Sequence, residues 1–445
     1  MKKQNKIKRL TSREILDSRG EPTVEVELIT NFGVFCDSAP SGASKGKYEA
    51  VEIRDGGKRY QGKGVLKAVQ NVNKIINKKL KNRDVSHQER IDELLIELDG
   101  TKNKSKLGAN AILPVSMAVC RAGAAAQNIS LYQYISQIFG QKMNYPALKG
   151  RGITFGASSF SGKRMKTAKI KREHFPVPCF NIINGGVHAG NDLQVQEFMV
   201  IPQLESFSKS LQAASEIYHI LKDVLIKKFG KRATNIGDEG GFAPPLRSTK
   251  TTLDFLVKAA KLSGYWNKIE FALDCAATQF ADGRSYKFEN RRLSVAQLLN
   301  FYQKLLKNYP IVFLEDPFAE NDINGFRMAY QEIGGNVLII GDDLLVTNTE
   351  KMKKAFEKKL CNGLLLKINQ IGTITEALEA AKLAKLYGWK IMVSHRSGET
   401  NDDFIADLAV GISANFIKSG APARGERVAK YNRLLRIEEE LRLGR

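Results

Sequence analysis

The chain has 445 residues, 43% of them hydrophobic and 26% charged, a globular composition that excludes a chain disordered throughout. This length favours two domains, or one large barrel with an attached domain. No stretch approaches the roughly 18 uninterrupted apolar residues of a membrane-spanning helix. The basic residues at the amino terminus are followed by no apolar segment, so we expect a soluble, cytoplasmic protein. The formal net charge of +22 keeps anionic partners, nucleic acid among them, open.

Residues 1–140 predict an α+β domain. The segment TVEVELIT (23–30) alternates apolar and polar residues, and GVFCDSA (33–39) follows it after a short turn, which indicates an antiparallel pair of strands. Helical spacing of apolar residues follows. Residues 141–174 then mix basic residues with Gly, Ser and Thr, and we predict a linker or loop there.

Residues 175–445 predict a barrel. Short apolar runs such as IEFALDCA, IVFLEDP and LLLKIN alternate with longer stretches of helical spacing. Repeated strand-then-helix units of this length are typical of a parallel α/β barrel. In such a barrel the carboxyl ends of the strands meet at one face, and that face carries the active site.

Acidic residues end three successive predicted strands of this region. They are Asp274, then Glu315 with Asp316, then Asp342 with Asp343. Carboxylates brought together repel one another unless a cation neutralises them, and an all-oxygen set with room for water suits Mg²⁺. The alternative is that these acids only cap the helices that follow them.

A lysine, Lys367, ends the next predicted strand. A lysine that is partly desolvated beside a divalent cation has its ammonium form disfavoured, and it can then serve as a base. The alternative is a purely structural salt bridge between Lys367 and the acids. The pattern leaves both readings open.

The glycine-rich segment NIGDEGGFAPP (235–245) presents Glu239 in a turn. This glutamate is a candidate general acid, although an ordinary turn with solvated acids has the same pattern. Base, acid and metal together predict removal of a proton next to a carboxylate, with the metal offsetting the negative charge that develops.

Motifs from one end of the chain to the other carry a resemblance. They are DSRGEPTVEVEL (17–28), APSGASKG (39–46), LGANAI (107–112), NGGVHAGND (184–192), QEFM (196–199), GDEGGFAP (237–244), ALDCAA (272–277), LEDPF (314–318), GDDLLVTN (341–348), LLLKINQIGT (364–373), VSHRSGET (393–400) and GAPARGERVAKYNRLLRIEEEL (420–441). With these motifs in this order, the chain resembles the enolase family.

The resemblance implies a modified eight-stranded α/β barrel with an N-terminal α+β capping domain. It also implies reversible dehydration of 2-phosphoglycerate to phosphoenolpyruvate in glycolysis and gluconeogenesis, by a homodimer that uses two Mg²⁺ ions per active site. Asp274, Glu315 and Asp342 would hold the first ion, and Ser44 would join the second when substrate binds. 

Roles for other residues follow from the same resemblance. Lys367 would abstract the proton, Glu239 would act as the acid for the leaving hydroxyl, and Glu197 would assist near that hydroxyl. The residues that would line or bind the substrate are His188, Gln196, His395, Arg396, Ser397 and Lys418.

The chain departs from the family pattern at Lys45, Gln279, Asn401 and Pro114. Lys45 stands where most enolases have threonine in the SGAS loop, and Gln279 stands where they usually have glutamate. One alternative function is another enolase-superfamily reaction on a different carboxylate, against which the SHRSG and IKSG motifs argue. The other is a protein that uses this scaffold mainly to bind nucleic acid or a surface partner through its basic segments.

Overall fold

The computed structural model describes residues 5–42, 46, 48–140 and 175–443. The predicted linker 141–174 lies outside the described residues, and so do Ser44 and Lys45. The described residues form a small sheet covered by helices and a closed barrel surrounded by helices. The predicted fold class is therefore confirmed.

The amino-terminal sheet has three antiparallel strands, β1 (Arg9–Leu16), β2 (Pro22–Ile29) and β3 (Val34–Ser38), with β2 in the middle. The predicted pairing of β2 with β3 is confirmed. The sequence analysis missed strand β1. Buried and more exposed residues alternate only over its first half, and its last four residues are all partly or fully exposed, so the strand has no clear alternating pattern.

Five α-helices accompany this sheet in the described residues: α1 (Leu66–Gln70), α2 (Asn77–Leu80), α3 (Gln88–Asp99), α4 (Ala109–Gln127) and α5 (Leu131–Gly140). A π-helical segment, Asn71–Ile76, joins α1 to α2. By length and composition α4 could cross a membrane, but 83% of its most apolar window is buried inside the protein. Core helices have this property, so the composition of α4 is explained by packing.

The remaining strands lie between Val177 and Lys418. They are β4 (Val177–Asn184), β5 (Glu197–Pro202), β6 (Ile269–Asp274), β7 (Ala281–Asp282), β8 (Ser285–Phe288), β9 (Arg291–Ser294), β10 (Ile311–Glu315), β11 (Leu338–Gly341), β12 (Gly363–Leu366), β13 (Lys390–Ser394) and β14 (Phe416–Lys418). Eight of them close into a barrel in the order β10-β11-β12-β13-β14-β4-β5-β6, and β7 to β9 form a separate small sheet.

The barrel is not entirely parallel, which corrects the expectation from the repeated units. Strand β5 runs antiparallel to both of its neighbours, β4 and β6. A parallel return needs a crossover, usually a helix, whereas residues 185–196 between β4 and β5 contain only a single short turn of 3-10 helix, Gly186–His188. The chain therefore turns back as a hairpin, and the amino end of β5 lies at the same face as the carboxyl ends of the other strands.

The other helices pack around the barrel. They are α6 (Phe207–Phe229), α7 (Thr249–Leu262), α8 (Val295–Asn308), α9 (Ile323–Glu332), α10 (Thr349–Glu357), α11 (Ile368–Ile371), α12 (Ile374–Leu386), α13 (Phe404–Gly411) and α14 (Gly425–Leu443). Serine caps show why some begin where they do: Ser206 accepts from the Lys209 amide at the start of α6, and Ser294 forms a capping box with Gln297 at α8.

Buried polar contacts fasten the amino-terminal part to the barrel. The carboxylate of Asp92 on α3 is fully buried and accepts from the Ser116 hydroxyl on α4 at 2.6 Å. It also accepts from the hydroxyl and the backbone amide of Thr375 on α12, at 2.6 and 3.0 Å. These bonds satisfy a carboxylate that burial alone would destabilise, and they position the loops of the amino-terminal part over one end of the barrel.

Candidate active site

Alternation along the strands explains which side chains reach the inside of the barrel. A cluster of buried side chains fills the interior: Cys179, Met199, Ile201, Ala272, Phe313, Ile340, Leu365 and Met392. Successive side chains on a strand point to opposite faces. Leu365 therefore faces the interior while Leu364 and Leu366 pack outward against helices, and Lys367, two residues after Leu365, faces inward again at the strand end.

The same period of two delivers four acids to this end of the barrel. Asp274 follows the interior residue Ala272 by two positions, Glu315 follows Phe313, and Asp342 follows Ile340. On the reversed strand β5, Glu197 precedes Met199 by two. Register places Asp274 directly beside both Glu197 and Glu315.

One cavity brings most of the predicted site residues together. The predicted residues that line it are His188, Gln196, Glu197, Glu239, Asp274, Asp342, Lys367, His395, Arg396, Ser397 and Lys418. Glu315 is fully buried and is linked to the cavity through Lys418. Gln279, one of the departures from the family pattern, also lines the cavity.

Lys418 lies among three acids. Its Nζ is 2.6 Å from Oε2 of Glu315, 3.2 Å from Oε2 of Glu197 and 3.6 Å from Oδ2 of Asp274. Burial disfavours its ammonium form, but the three carboxyl groups outweigh burial and raise the pKa of Lys418 well above its usual value. Burial, with repulsion from the neighbouring acids, raises the pKa of Glu315 well above the usual range.

Lys367 contacts the next acid along the barrel. Its ammonium donates to Oδ2 of Asp342, whose other oxygen accepts from the Gln370 amide at 2.8 Å. Burial acts to lower the pKa of Lys367, but the Asp342 carboxylate outweighs burial and raises it. The salt bridge anticipated as the alternative for Lys367 is thus present, and the ammonium form is favoured in this arrangement.

The acids fit a divalent cation in their chemistry and charge. Asp274, Glu315 and Asp342 offer only carboxylate oxygens, as Mg²⁺ prefers. Oε1 of Glu315 is buried and has no hydrogen-bond partner among the described residues. When the three carboxyl groups around Lys418 are ionised, its single ammonium leaves negative charge that a further cation would offset.

Two other acids, Asp316 and Asp343, lie next to the predicted ligands. Oxygens of Asp316, Asp342 and Asp343 lie within 4.8 Å of one another. However, Asp316 already accepts from the backbone amides of Asp342 and Asp343 at 3.0 and 2.7 Å. Asp316 therefore holds the turn that presents Asp342.

The side of the cavity nearest two histidines contains a pair of glutamates, Glu197 and Glu239, of which Glu197 also contacts Lys418. Both are almost fully buried, and each perturbs the other. Burial, reinforced by the Glu239 charge, raises the pKa of Glu197 well above its usual range. Burial acts to raise the pKa of Glu239, but interactions with His395, His188 and Arg427 outweigh burial and hold that pKa well below its usual range. Of the two carboxyl groups, Glu197 therefore holds a proton more readily than Glu239.

Two histidines flank Glu239 on this side. Nδ1 of His188 lies 3.5 Å from Oε1 of Glu239, and Nε2 of His395 lies 3.5 Å from Oε2. Asn181 adds a hydrogen bond of 2.9 Å to Oε2. Burial lowers the pKa of His188 and lowers that of His395 to about 4, so both rings are neutral near pH 7.

Sequence reasoning missed Glu49 and Arg427. Glu49 is paired with the guanidinium of Arg396, with Nη1–Oε2 at 3.0 Å and Nη2–Oε1 at 3.3 Å, and it lines the cavity. Arg427 is fully buried behind His395. Glu49 is one of several charged residues after the SGAS loop, and Arg427 is one of several on a charged helix, so neither pattern singled them out.

Fold and cavity together define a class of enzyme: an α/β barrel whose strand ends present metal-binding carboxylates, two lysines and a glutamate pair to one small-molecule site. Family models match two parts of the chain. Residues 7–135 match the N-terminal domain of enolase, and residues 172–444 match the C-terminal TIM barrel domain of enolase.

Curated relatives agree over their whole lengths. The chain is 48% identical over 447 residues to an enolase of Methanocaldococcus jannaschii, covering 100% of this chain and 98% of the relative. It is 50% identical to enolase B of Dictyostelium discoideum and 49% identical to an enolase of Thermococcus kodakarensis, in each case over 98% of this chain and 95% of the relative. The chain belongs to the enolase family, and it is an enzyme of the carbon–oxygen lyase class.

Proposed function

We propose that this chain catalyses the Mg²⁺-dependent, reversible dehydration of 2-phosphoglycerate to phosphoenolpyruvate. The observation that carries the proposal is the arrangement of the cavity. Lys367, which is paired with Asp342, and the Glu197–Glu239 pair both line it. A substrate held between them would have a proton acceptor on one side and a proton donor on the other, as an elimination requires.

Substrate anions would be bound by the cationic and N–H groups of the cavity. Arg396 presents a planar guanidinium suited to phosphate or carboxylate oxygens. His395, Ser397 and Lys418 lie around the same cavity, and so do His188 and Gln196. Because the rings of His188 and His395 are neutral, they would bind as hydrogen-bonding groups rather than as cations.

Lys367 would act as the base. In its neutral form Nζ takes the proton from the carbon next to the substrate carboxylate, so the Asp342 charge that favours its ammonium form has to be offset beforehand. Asp274, Glu315 and Asp342 would hold Mg²⁺. Its positive charge would offset the Asp342 carboxylate and would also stabilise the negative charge that develops on the substrate carboxylate. We also propose that a second Mg²⁺ ion binds together with the substrate and that Ser44 is one of its ligands.

The glutamate pair would supply the proton for the departing hydroxyl. That hydroxyl leaves as water while the electrons of the broken carbon–hydrogen bond form the new double bond. Glu239 is the predicted acid, and of the pair Glu197 holds a proton more readily. We therefore assign the acid role to the pair, with the proton stored on Glu197 and passed towards the hydroxyl at Glu239.

We further propose that the chain works as a cytoplasmic homodimer, as the resemblance implied. Size-exclusion chromatography with light scattering would test this. A mass near twice the chain mass of 49.5 kDa is expected, and a monomer at working concentration would contradict it.

The reaction is tested by following phosphoenolpyruvate absorbance with purified protein and 2-phosphoglycerate. Turnover is expected with Mg²⁺, none with excess chelator, and recovery when Mg²⁺ is restored. A hydroxy acid without a phosphate group is the matched control. It should not react, because Arg396 and its neighbours would have no phosphate to bind. Absence of turnover with saturating Mg²⁺ would contradict the proposal.

A further inference from the structure

Arg427 is a buried cation behind the cavity that takes no part in the steps above. It lies in the first turn of α14, and its side chain is completely shielded from solvent. Burying a guanidinium is costly unless nearly all of its donors are satisfied. The contacts that satisfy it therefore indicate what it is for.

The guanidinium donates to backbone carbonyls on both loops that carry candidate site residues. Its Nη2 is 2.9 Å from the carbonyl oxygen of Asp238, the residue before Glu239. Its Nη1 and Nη2 are 2.6 Å and 2.5 Å from the carbonyl oxygens of Arg396 and Ser397, which follow His395. Arg427 thus fixes the backbone on each side of the contact between Glu239 and His395.

Arg427 also contacts the imidazole ring itself. Its Nη1 lies 2.6 Å from Nδ1 of His395. A guanidinium has five N–H donors and no acceptor, so Nδ1 must accept this bond and cannot carry a proton. In a neutral ring the proton then resides on Nε2.

The other nitrogen of His395 is directed at the cavity. Nε2 is buried, has no hydrogen-bond partner among the described residues, and lies 3.5 Å from Oε2 of Glu239. An N–H group in this position is available to an oxygen of the substrate. The charged groups that face the ring are Arg427, which disfavours the imidazolium form, and Glu239 and Glu399, which favour it.

We propose that Arg427 is a positioning residue that holds His395 as a neutral imidazole with its Nε2–H directed into the substrate cavity. The inference rests on the proposed function only in taking this cavity as the place where substrate binds. Burial and the Arg427 charge together outweigh the two glutamates, in keeping with a pKa of His395 of about 4.

The tautomer can be measured without any turnover. The full chain is prepared with ¹⁵N-labelled histidine, and long-range proton–nitrogen correlation spectra are recorded near neutral pH. The His395 signals are assigned by their loss in His395→Gln. A protonated Nε2 with an unprotonated Nδ1 is expected; an Nδ1–H tautomer, an imidazolium or a tautomer mixture would overturn the inference.

Two substitutions separate the donor from the charge. Arg427→Gln lacks the charge and keeps an amide donor on a shorter side chain, so the pKa of His395 should rise by about one unit or more towards 6.5. Arg427→Met removes donor and charge, so both tautomers should appear as well. If both variants fold and leave the signals of His395 unchanged, Glu239 alone fixes the tautomer and the inference is overturned.

Arg433→Gln is the matched control. Arg433 lies on the same helix and is paired with Asp407 at 2.7 Å, so its loss also removes a partly buried guanidinium. It should lower stability and leave the tautomer and pKa of His395 unchanged; an equal change would show a merely structural role for Arg427. If neither Arg427 variant folds, the wild-type spectrum decides the inference.

Kinetics distinguish this inference from the proposed function. If wild type turns over, Arg427→Gln should lower kcat by about tenfold and move the acid side of the pH profile upward, whereas Arg433→Gln should not move it. An unmoved profile would overturn the inference. An inactive wild type that still shows the Nε2–H tautomer would contradict the proposed function and leave the inference standing.

Discussion

The two sides of the cavity handle buried ionisable groups in opposite ways. On the lysine side, Lys367 and Lys418 keep their ammonium forms because carboxylates contact them directly. On the histidine side, the imidazolium forms of His188 and His395 are disfavoured, although Glu239 lies 3.5 Å from each ring. Burial is similar on both sides, so burial alone does not set the charge.

Ordinary pKa and contact geometry account for the difference. A lysine begins near 10.5, and close carboxylates offset the cost of burying its charge. The pKa of a histidine begins near 6.5, and neither ring here has a hydrogen bond to Glu239. In addition, the positive charge of Arg427 lies beside His395 and disfavours a positive charge on its ring. The lysine side therefore provides charge that a metal ion can rebalance, and the histidine side provides neutral donors.

The largest effect is expected from removing the lysine-side base. Lys367→Ala should lower kcat by about 10²–10⁴-fold, the usual contribution of a positioned base, with a smaller change in KM. The measurement is Mg²⁺-dependent phosphoenolpyruvate formation. Lys358→Ala, at an exposed position after α10, should match wild type. A Lys367→Ala variant that keeps a tenth of the wild-type kcat would assign the base to another residue.

Removing the lysine-side cation should mainly affect stability. Lys418→Met leaves Glu197, Asp274 and Glu315 without their shared ammonium, so the free energy of unfolding in urea should fall by about 3–5 kcal/mol. Added Mg²⁺ should restore more stability to the variant than to wild type. Lys390→Met, exposed at the opposite end of the barrel, is the control. If the Lys418 and Lys390 variants were equally stable, the ammonium of Lys418 would not be needed to offset the charge of the three acids.

The histidine side predicts a loss of stability in acid. His395 has a pKa of about 4 in the folded chain against 6.5 for an unperturbed group. A lowered pKa stabilises the fold above 6.5, and this stabilisation is lost as pH falls from 6.5 to about 4. The total is about 3 kcal/mol. Unfolding measured across this range should show that loss in wild type and less of it in His395→Gln.

The control for the acid transition is His219→Gln, because His219 is exposed on α6. It should reproduce the wild-type dependence of stability on pH. If His395→Gln and His219→Gln lose stability identically between pH 6.5 and about 4, His395 is not the neutral group described for the histidine side.

The smallest effect concerns Glu49, which lies at the edge of the lysine side and pairs with Arg396. Glu49→Gln weakens this ion pair and leaves the guanidinium less firmly oriented, so KM for 2-phosphoglycerate should rise by about tenfold while kcat changes less. Steady-state kinetics measure this split, with Glu25→Gln on strand β2 as the control. An unchanged KM would show that Arg396 is oriented by other contacts such as Asn369, 3.3 Å from its Nη1.

Much of the lysine side could be predicted from the sequence because strand alternation determines it. Asp274, Glu315, Asp342 and Lys367 each follow an interior residue by two positions, and apolar runs in the sequence reveal those strands. The reversal of β5 could not be read from the same pattern. It depends on the short connection 185–196, whose residues show no periodicity that distinguishes a hairpin from a crossover.

The histidine side was less predictable because its properties arise from contacts between distant segments. Glu239, His395 and Arg427 come from three parts of the chain that meet only after folding. Sequence motifs selected Glu239 and His395, but they could not show that the pKa of Glu197 is raised while that of Glu239 is lowered. That ordering follows from burial and from the two neighbouring rings.

The most direct test of the account is exchange of the substrate's α-hydrogen with solvent. Wild-type protein, 2-phosphoglycerate and Mg²⁺ are incubated in D₂O, and loss of the α-proton signal is followed by NMR. If Nζ of Lys367 takes this proton, exchange is expected with wild type and none with Lys367→Ala. Exchange by Lys367→Ala at the wild-type rate would contradict it.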